Sequence, residues 1–188
     1  IGPGTAILTN NTIVKNEAID GGGIDVSGDL TIINSILWDN IGTYGEDEIN
    51  YTFTPPDVSY CNIKGGFPGL CNIDTNPLFV DQDADDLHIL YDSPCRDAGT
   101  NTALELPDFD FEGDPRIAYG IADIGADEFY THLYYTGDAV PGGQVALKFI
   151  DFPNKSPVGL WFGSGILDKP LCSEFGDWYL SFPIYGPF

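Results

Sequence analysis

The chain has 188 residues, 43% of them hydrophobic, with 29 acidic residues against 7 basic ones and a net charge of -22. That is apolar material enough for a real core and too much for a disordered acidic tail. Charge of this sign repels nucleic acid and anionic lipid, which argues against both as partners, and attracts divalent cations. No run approaches the roughly 18 apolar residues of a membrane span, so no membrane insertion is expected. The chain has no methionine and opens at Ile1 without a basic-then-apolar leader, which suggests a processed chain or the ordered part of a longer one.

A degenerate repeat comes first. Residues 5–19 and 30–41 superpose with Asn11-Thr12-Ile13-Val14 on Asn34-Ser35-Ile36-Leu37 and Asn16 close to Asn40; Val58-Ser59-Tyr60-Cys61-Asn62-Ile63 is a weaker third copy. The steps from Asn11 to Asn34 to Tyr60 are in the twenties, the period of a stacked repeat. Ile, Val and Thr favour short strands, no Leu-x-x-Leu-x-Leu frame appears, and no window has capped helical periodicity. Gly21-Gly22-Gly23 and Ser27-Gly28-Asp29 read as corners. The expected fold is therefore all-β, a short parallel β-helix with Asn11 stacked on Asn34 and Asn16 on Asn40 as structural ladders. Cys61 and Cys71 flank the loop Lys64–Gly69; they are either a loop disulfide, or small buried apolar groups, as Cys95 is expected to be. Cys172 has no obvious partner.

Next come two acidic runs. Asp81, Asp83, Asp85 and Asp86 fall within six residues, and Asp108, Asp110, Glu112 and Asp114 alternate over seven. Alternating carboxylates suit a hard cation such as Ca2+. Neither run has the closing Glu of an EF-hand, Asp92 and Tyr119 standing there, so the competing reading is a solvated acidic turn paired with Arg116. His88, within Leu87-His88-Ile89-Leu90, reads as a strand residue, and Ser93, His88 and His132 lack the context of a nucleophilic triad.

Residues 130–188 differ in kind, holding 13 of the 25 aromatic residues and only 5 of the 29 acids. Segments 144–149, 159–163 and 178–182 read as strands of a small antiparallel β-sandwich, with a sheet edge open to strand addition. Trp161, Trp178 and Tyr179 are either core or a platform for stacking sugars. Asn10, Asn50 and Asn154 each begin a glycosylation sequon.

The repeat, together with Asn76-Pro77-Leu78-Phe79-Val80-Asp81, Ser93-Pro94-Cys95-Arg96-Asp97-Ala98-Gly99 and Asp123-Ile124-Gly125-Ala126-Asp127-Glu128, resembles the C-terminal end of bacterial right-handed parallel β-helix repeat proteins. The resemblance covers residues 1 to about 129. It implies a secreted or cell-surface protein with a β-sandwich module at 130–188. One departure is Glu112, where the family usually has Asp. The expected function is non-catalytic: an extracellular structural or adhesive protein, in its specific form a filament subunit that self-associates through β-edges, or binds an extracellular polymer. The alternative is a polysaccharide-binding or polysaccharide-degrading protein with its active coils elsewhere. Asp25, Asp39 or Asp47 are the carboxylates for hydrolysis in one groove, but Lys15, Lys64, Arg96 and Arg116 are too few and too scattered for a lyase.

Overall fold

A computed structural model describes residues 5–44 and 47–130, and beyond these only the backbone of five strands. The chain divides into two compact units, Ile1–Phe129 and Tyr130–Phe188. Unit 1 is all-β: its described residues contain no α-helix, and its principal sheets are parallel.

The chain passes over itself in register. The first pass runs through β1 (Thr5–Thr9), β2 (Thr12–Val14), β3 (Glu17–Ala18) and β4 (Ile24–Val26). The second runs through β5 (Asp29–Ile33), β6 (Ile36–Trp38), β7 (Ile41–Gly42) and β8 (Ile49–Tyr51), and the third holds β9 (Asp57–Ser59) and β10 (Asn62–Ile63). Each strand pairs with its counterpart one pass later, as Thr5 with Asp29, Thr12 with Ile36, Glu17 with Ile41 and Ile24 with Ile49. The third pass continues two of these ladders, Ile32 pairing with Val58 and Ile36 with Asn62.

Backbone conformation explains the corners. Asn10, Asn34 and Tyr60 all have φ near +50° and occupy the same corner of successive passes; Lys15, Asp39 and Gly65 share the next. Left-handed backbone is easiest for Gly and Asn, so Asn10 and Asn34 carry the first corner at little cost. The true step between passes one and two is 24 residues, which sets Asn10, not Asn11, against Asn34. The Asn11–Asn34 ladder is thereby corrected: Asn34 Nδ2 donates to Asn10 Oδ1 at 3.3 Å, whereas Asn11 lies opposite Ser35 and its side chain donates to Thr9 O. Asn16 Nδ2 donates to Asn40 Oδ1 at 3.0 Å.

Alternation along β6 makes it the centre of the unit. Leu37 points inward, packing with Leu30, Ile32, Ile49, Val58, Cys61 and Ile63. Ile36 points the other way, into a second cluster with Ile89, Cys95, Ile124 and Phe129. A strand apolar on both faces is buried on both faces. The second cluster belongs to the segment after the third pass, which contains β11 (Phe79–Asp81), a 3-10 turn Gln82–Ala84 and β12 (Asp86–Ile89), then residues 90–129 without a ladder. This closing segment lies against β2 and β6: Ala126 N donates to Thr12 Oγ1, and Gly125 N to Asn34 O.

Gly125 fixes that contact. Its φ is +114°, and a Cβ there would meet Ile36 Cδ1 at 2.7 Å and Thr12 Oγ1 at 3.0 Å. Gly125→Ala is expected to cost about 2–3 kcal/mol, from backbone strain plus overpacking. Chemical denaturation checks this, and an unchanged midpoint would contradict the packing described.

The third pass is cut short. Residues 64–71 turn back, and Ile73 bridges Asn62 in parallel, so β7 and β8 have no third-pass partner among the described residues. The loop disulfide expected between Cys61 and Cys71 is not formed. Cys71 is exposed and Cys61 buried, both as free thiols. The loop is closed by Asn72, whose Oδ1 accepts from Cys61 N and whose Nδ2 donates to Val58 O and Phe67 O. Cys61 Sγ is held by Ser59 O at 3.1 Å, and burial pushes its pKa up to about 12. Cys95 is likewise buried and pushed up to about 11. Cys172 lies outside the described residues.

Unit 2 is described by backbone alone: β13 (His132–Gly137), β14 (Gln144–Ile150), β15 (Trp161–Phe162), β16 (Gly165–Ile166) and β17 (Trp178–Pro183). β13, β14 and β17 form an antiparallel sheet in that order, and β15 pairs antiparallel with β16. Trp161 begins β15, and Trp178 and Tyr179 begin β17; their side chains, like Asn154, lie outside the described residues.

Candidate functional site

The closing segment must satisfy many backbone N–H groups without ladder partners, and buried carboxylates take that role. Asp110 Oδ1 accepts from Glu112 N, Gly113 N and Asp114 N, each at 2.9 Å, while Oδ2 accepts from Glu128 N. Asp123 accepts from Asp97 N on one oxygen and Phe129 N on the other. Glu128 accepts from Ala118 N and Asp123 N. Asp127 Oδ2 accepts from Ile89 N at 2.8 Å.

Arg116 sits among them, only 3% exposed. The expected pairing of Arg116 with acids in its own turn is replaced by bonds to carbonyls: its guanidinium donates to Gly125 O, Ala126 O and Asp127 O. The run that holds Asp123, Asp127 and Glu128 thus turns its backbone oxygens toward Arg116, the one buried cation among the described residues. Burial lowers the Arg116 pKa, opposed by the charges of Glu128, Asp110, Asp123 and Asp127. Burial also pushes Asp123 and Asp127 up to about 6 and Glu128 to about 7, against the backbone donors that favour their charged forms.

One group faces water. His88, on β12, places Nε2 3.1 Å from Glu112 Oε2 and Nδ1 2.5 Å from Asp86 Oδ1. Phe111 packs on its ring at 5.1 Å between centroids. Burial disfavours the imidazolium, but the Asp86 hydrogen bond and the charges of Asp127, Glu112 and Asp86 outweigh it and raise the pKa. One potential ligand atom from each of His88, Glu112 and Asp127 lies within 4.8 Å of the other two.

The acids singled out by sequence are placed as follows. Asp81 caps the 3-10 turn, accepting from Asp83 N and Ala84 N, and Asp83 pairs with Lys15. Asp85 ends that turn in left-handed backbone. Asp108 contributes its carbonyl to Arg116 N, and the Asp114 carbonyl accepts from Asp110 N. Of the eight acids in the two runs, Glu112 meets His88 at Nε2 and Asp86 meets it at Nδ1. Asp127, Asp123 and Glu128 were read from sequence only as family marks. A carboxylate in an otherwise apolar run was the signal for them, since it must find buried donors.

A second concavity lies beneath β8, where the third pass is short. This groove of about 500 Å³ is lined by Asp47, Glu48, Asn50, Tyr51, Lys64 and Phe67 among others. Tyr51 and Phe67 meet edge to face at 6.4 Å. The carboxylates proposed for hydrolysis are engaged separately: Asp25 accepts from Asn50 Nδ2, Asp39 from Lys64 and Gln82, and Asp47 from Gly42 N. Asn10 is corrected as a glycosylation candidate. It is 7% exposed and its amide donates to Asp123 O and Gly125 O, so the folded chain presents no free amide there. Asn50 remains part-exposed, bonded to Asp25.

A scan against protein-family models and searches of curated proteins and of solved structures find no match to this chain. No helix among the described residues is long and apolar enough to cross a membrane.

Proposed function

We propose that unit 1 is a short right-handed parallel β-helix serving as a stiff, non-catalytic element of an extracellular bacterial protein. On this reading unit 2 is a small β-sandwich used for attachment or assembly, and copies associate into filaments at the cell surface through β-edges. The observation that carries the reading is the in-register parallel stacking of successive passes at a step of 24 to 26 residues. It is supported by the buried carboxyls Asp110, Asp123, Asp127 and Glu128, which accept from backbone N–H groups of the closing segment.

Among the described residues β1 pairs on one side only, with β5, and its other side offers the specific contact. Asn10 N bonds Ile33 O, so the even residues of β1 face β5 and Thr5, Ile7 and Thr9 direct their backbone groups to the sheet edge. Proline at such an edge removes only an outward donor. Negative-stain images are expected to show fibres whose formation strengthens with salt, because screening relieves the -22 charge. Ile7→Pro is expected to abolish fibres while leaving the melting temperature within about 2 °C. Monodisperse parent protein at physiological salt would sink the filament reading.

The β8 groove favours a second reading, glycan binding, because it joins exposed aromatic edges to carboxylates and amides. A glycan array without hits removes it.

A further inference from the structure

We propose that His88, Glu112 and Asp127 bind one divalent first-row transition-metal ion of the Zn2+ type, which fastens β12 to the later part of the closing segment. The site stands independently of the proposed function. Its residues come from three separate stretches: β12, the turn built on Asp110, and the run leading to Phe129. Ligands on one such ion, bound at about 2.0–2.2 Å, lie roughly 3.0–3.5 Å apart. His88 Nε2 and Glu112 Oε2 already stand at 3.1 Å, and no pair of the three exceeds 4.8 Å.

Two features outside that geometry point to an ion. First, Asp86 engages Nδ1 of His88, which leaves Nε2 turned toward Glu112. Carboxylate–imidazole pairing of this kind fixes ring orientation and raises the basicity of a metal-bound histidine. Secondly, Asp127 is only 5% exposed, yet just one of its oxygens has a hydrogen-bond donor among the described residues. The neighbouring buried carboxyls Asp110, Asp123 and Glu128 have donors on both oxygens. Asp127 carries a carboxylate into this largely buried place, and a cation beside it offsets the cost of burying that charge. His88 and Glu112 are each part-exposed, which gives the ion an entry path and room for water ligands.

The donor set selects the ion. Imidazole with two carboxylates suits Zn2+ and its neighbours in the series, whereas Ca2+ takes six to eight oxygens.

The test uses the full chain with Cys71 and Cys172 changed to serine, stripped with EDTA and titrated with Zn2+ or Ca2+ alone. Calorimetry is expected to show one Zn2+ per chain, with the melting temperature raised by roughly 5 °C at a hundredfold excess over the dissociation constant. His88→Gln and Glu112→Gln are each expected to weaken Zn2+ at least about tenfold, and Asp81→Asn to leave it unchanged. Glu112 is a part-exposed side chain, so its variant keeps the test readable if His88→Gln folds poorly. Absence of Zn2+ binding overturns the proposal. So does binding that survives both variants, or a Ca2+ effect as large as that of Zn2+.

Discussion

Arg116→Met is expected to lower stability by about 3–5 kcal/mol, because it leaves buried charge without its counter-charge. In a chain of this size that corresponds to a fall in melting temperature of roughly 10 °C. The loss has two parts. Three carbonyls, those of Gly125, Ala126 and Asp127, lose their donor, and four carboxyls lose the cation that offsets their mutual repulsion. The parts separate experimentally. Arg116→Lys restores charge but not the planar fork that reaches three carbonyls, and should recover only some of the stability. Lowering the pH from 7.5 to 5 should shrink the deficit of the methionine variant, as the carboxyls take up protons. A variant that melts within 1–2 °C of the parent at pH 7.5 contradicts the placement of Arg116.

The second large effect is the pH dependence of the parent chain. Asp123 and Asp127 are pushed up to about 6 and Glu128 to about 7 by burial, so in the folded state they hold protons that the unfolded chain has released. Between about pH 4 and pH 7 the folded form binds more protons, and stability therefore falls as pH rises through this window. A two-unit shift corresponds to roughly 2–3 kcal/mol for one such group, and the groups share Arg116, so their sum falls short of additive. Melting in EDTA should give a higher midpoint at pH 5 than at pH 7.5. Asp123→Asn should flatten part of the slope while costing about 1–3 kcal/mol at either pH, because an amide cannot accept from both Asp97 N and Phe129 N. A midpoint that rises steadily from pH 5 to 7.5 would show that these carboxyls are not buried as described.

The stacking was readable in the residues because it is written in side-chain type: Ile, Val and Thr in short runs with Asn at a corner. Its register was not. Asn10 and Asn11 are adjacent and chemically identical, and only the positive φ shared by Asn10 and Asn34 decides between them. The shortened third pass was equally hidden, since a glycine-rich loop is consistent with a turn of any reach. The disulfide failed for a related reason: sequence proximity brought Cys61 and Cys71 near, but Asn72 supplied the closing bonds. At the site, Glu112 was visible as part of an alternating run. His88 and Asp127 were not, because their meeting depends on two loops arriving at one point. The donors that hold Asp123 and Glu128, on Asp97, Ala118 and Phe129, leave no mark on side-chain identity at all.

The bonds that Asn10 and Thr12 make with Asp123, Gly125 and Ala126 span more than a hundred residues. Stacked repeats ordinarily propagate from neighbour to neighbour, so that any part can form once the adjacent part has. Here the opening strands are clasped by a stretch synthesised near the end of unit 1. Loop closure over that distance is slow, and a ribosome-bound chain that stops short of residue 123 leaves the Asn10 amide without its acceptors. The contacts that Asn10 and Thr12 make with the closing segment therefore form only when the last-made part of the unit returns to its first.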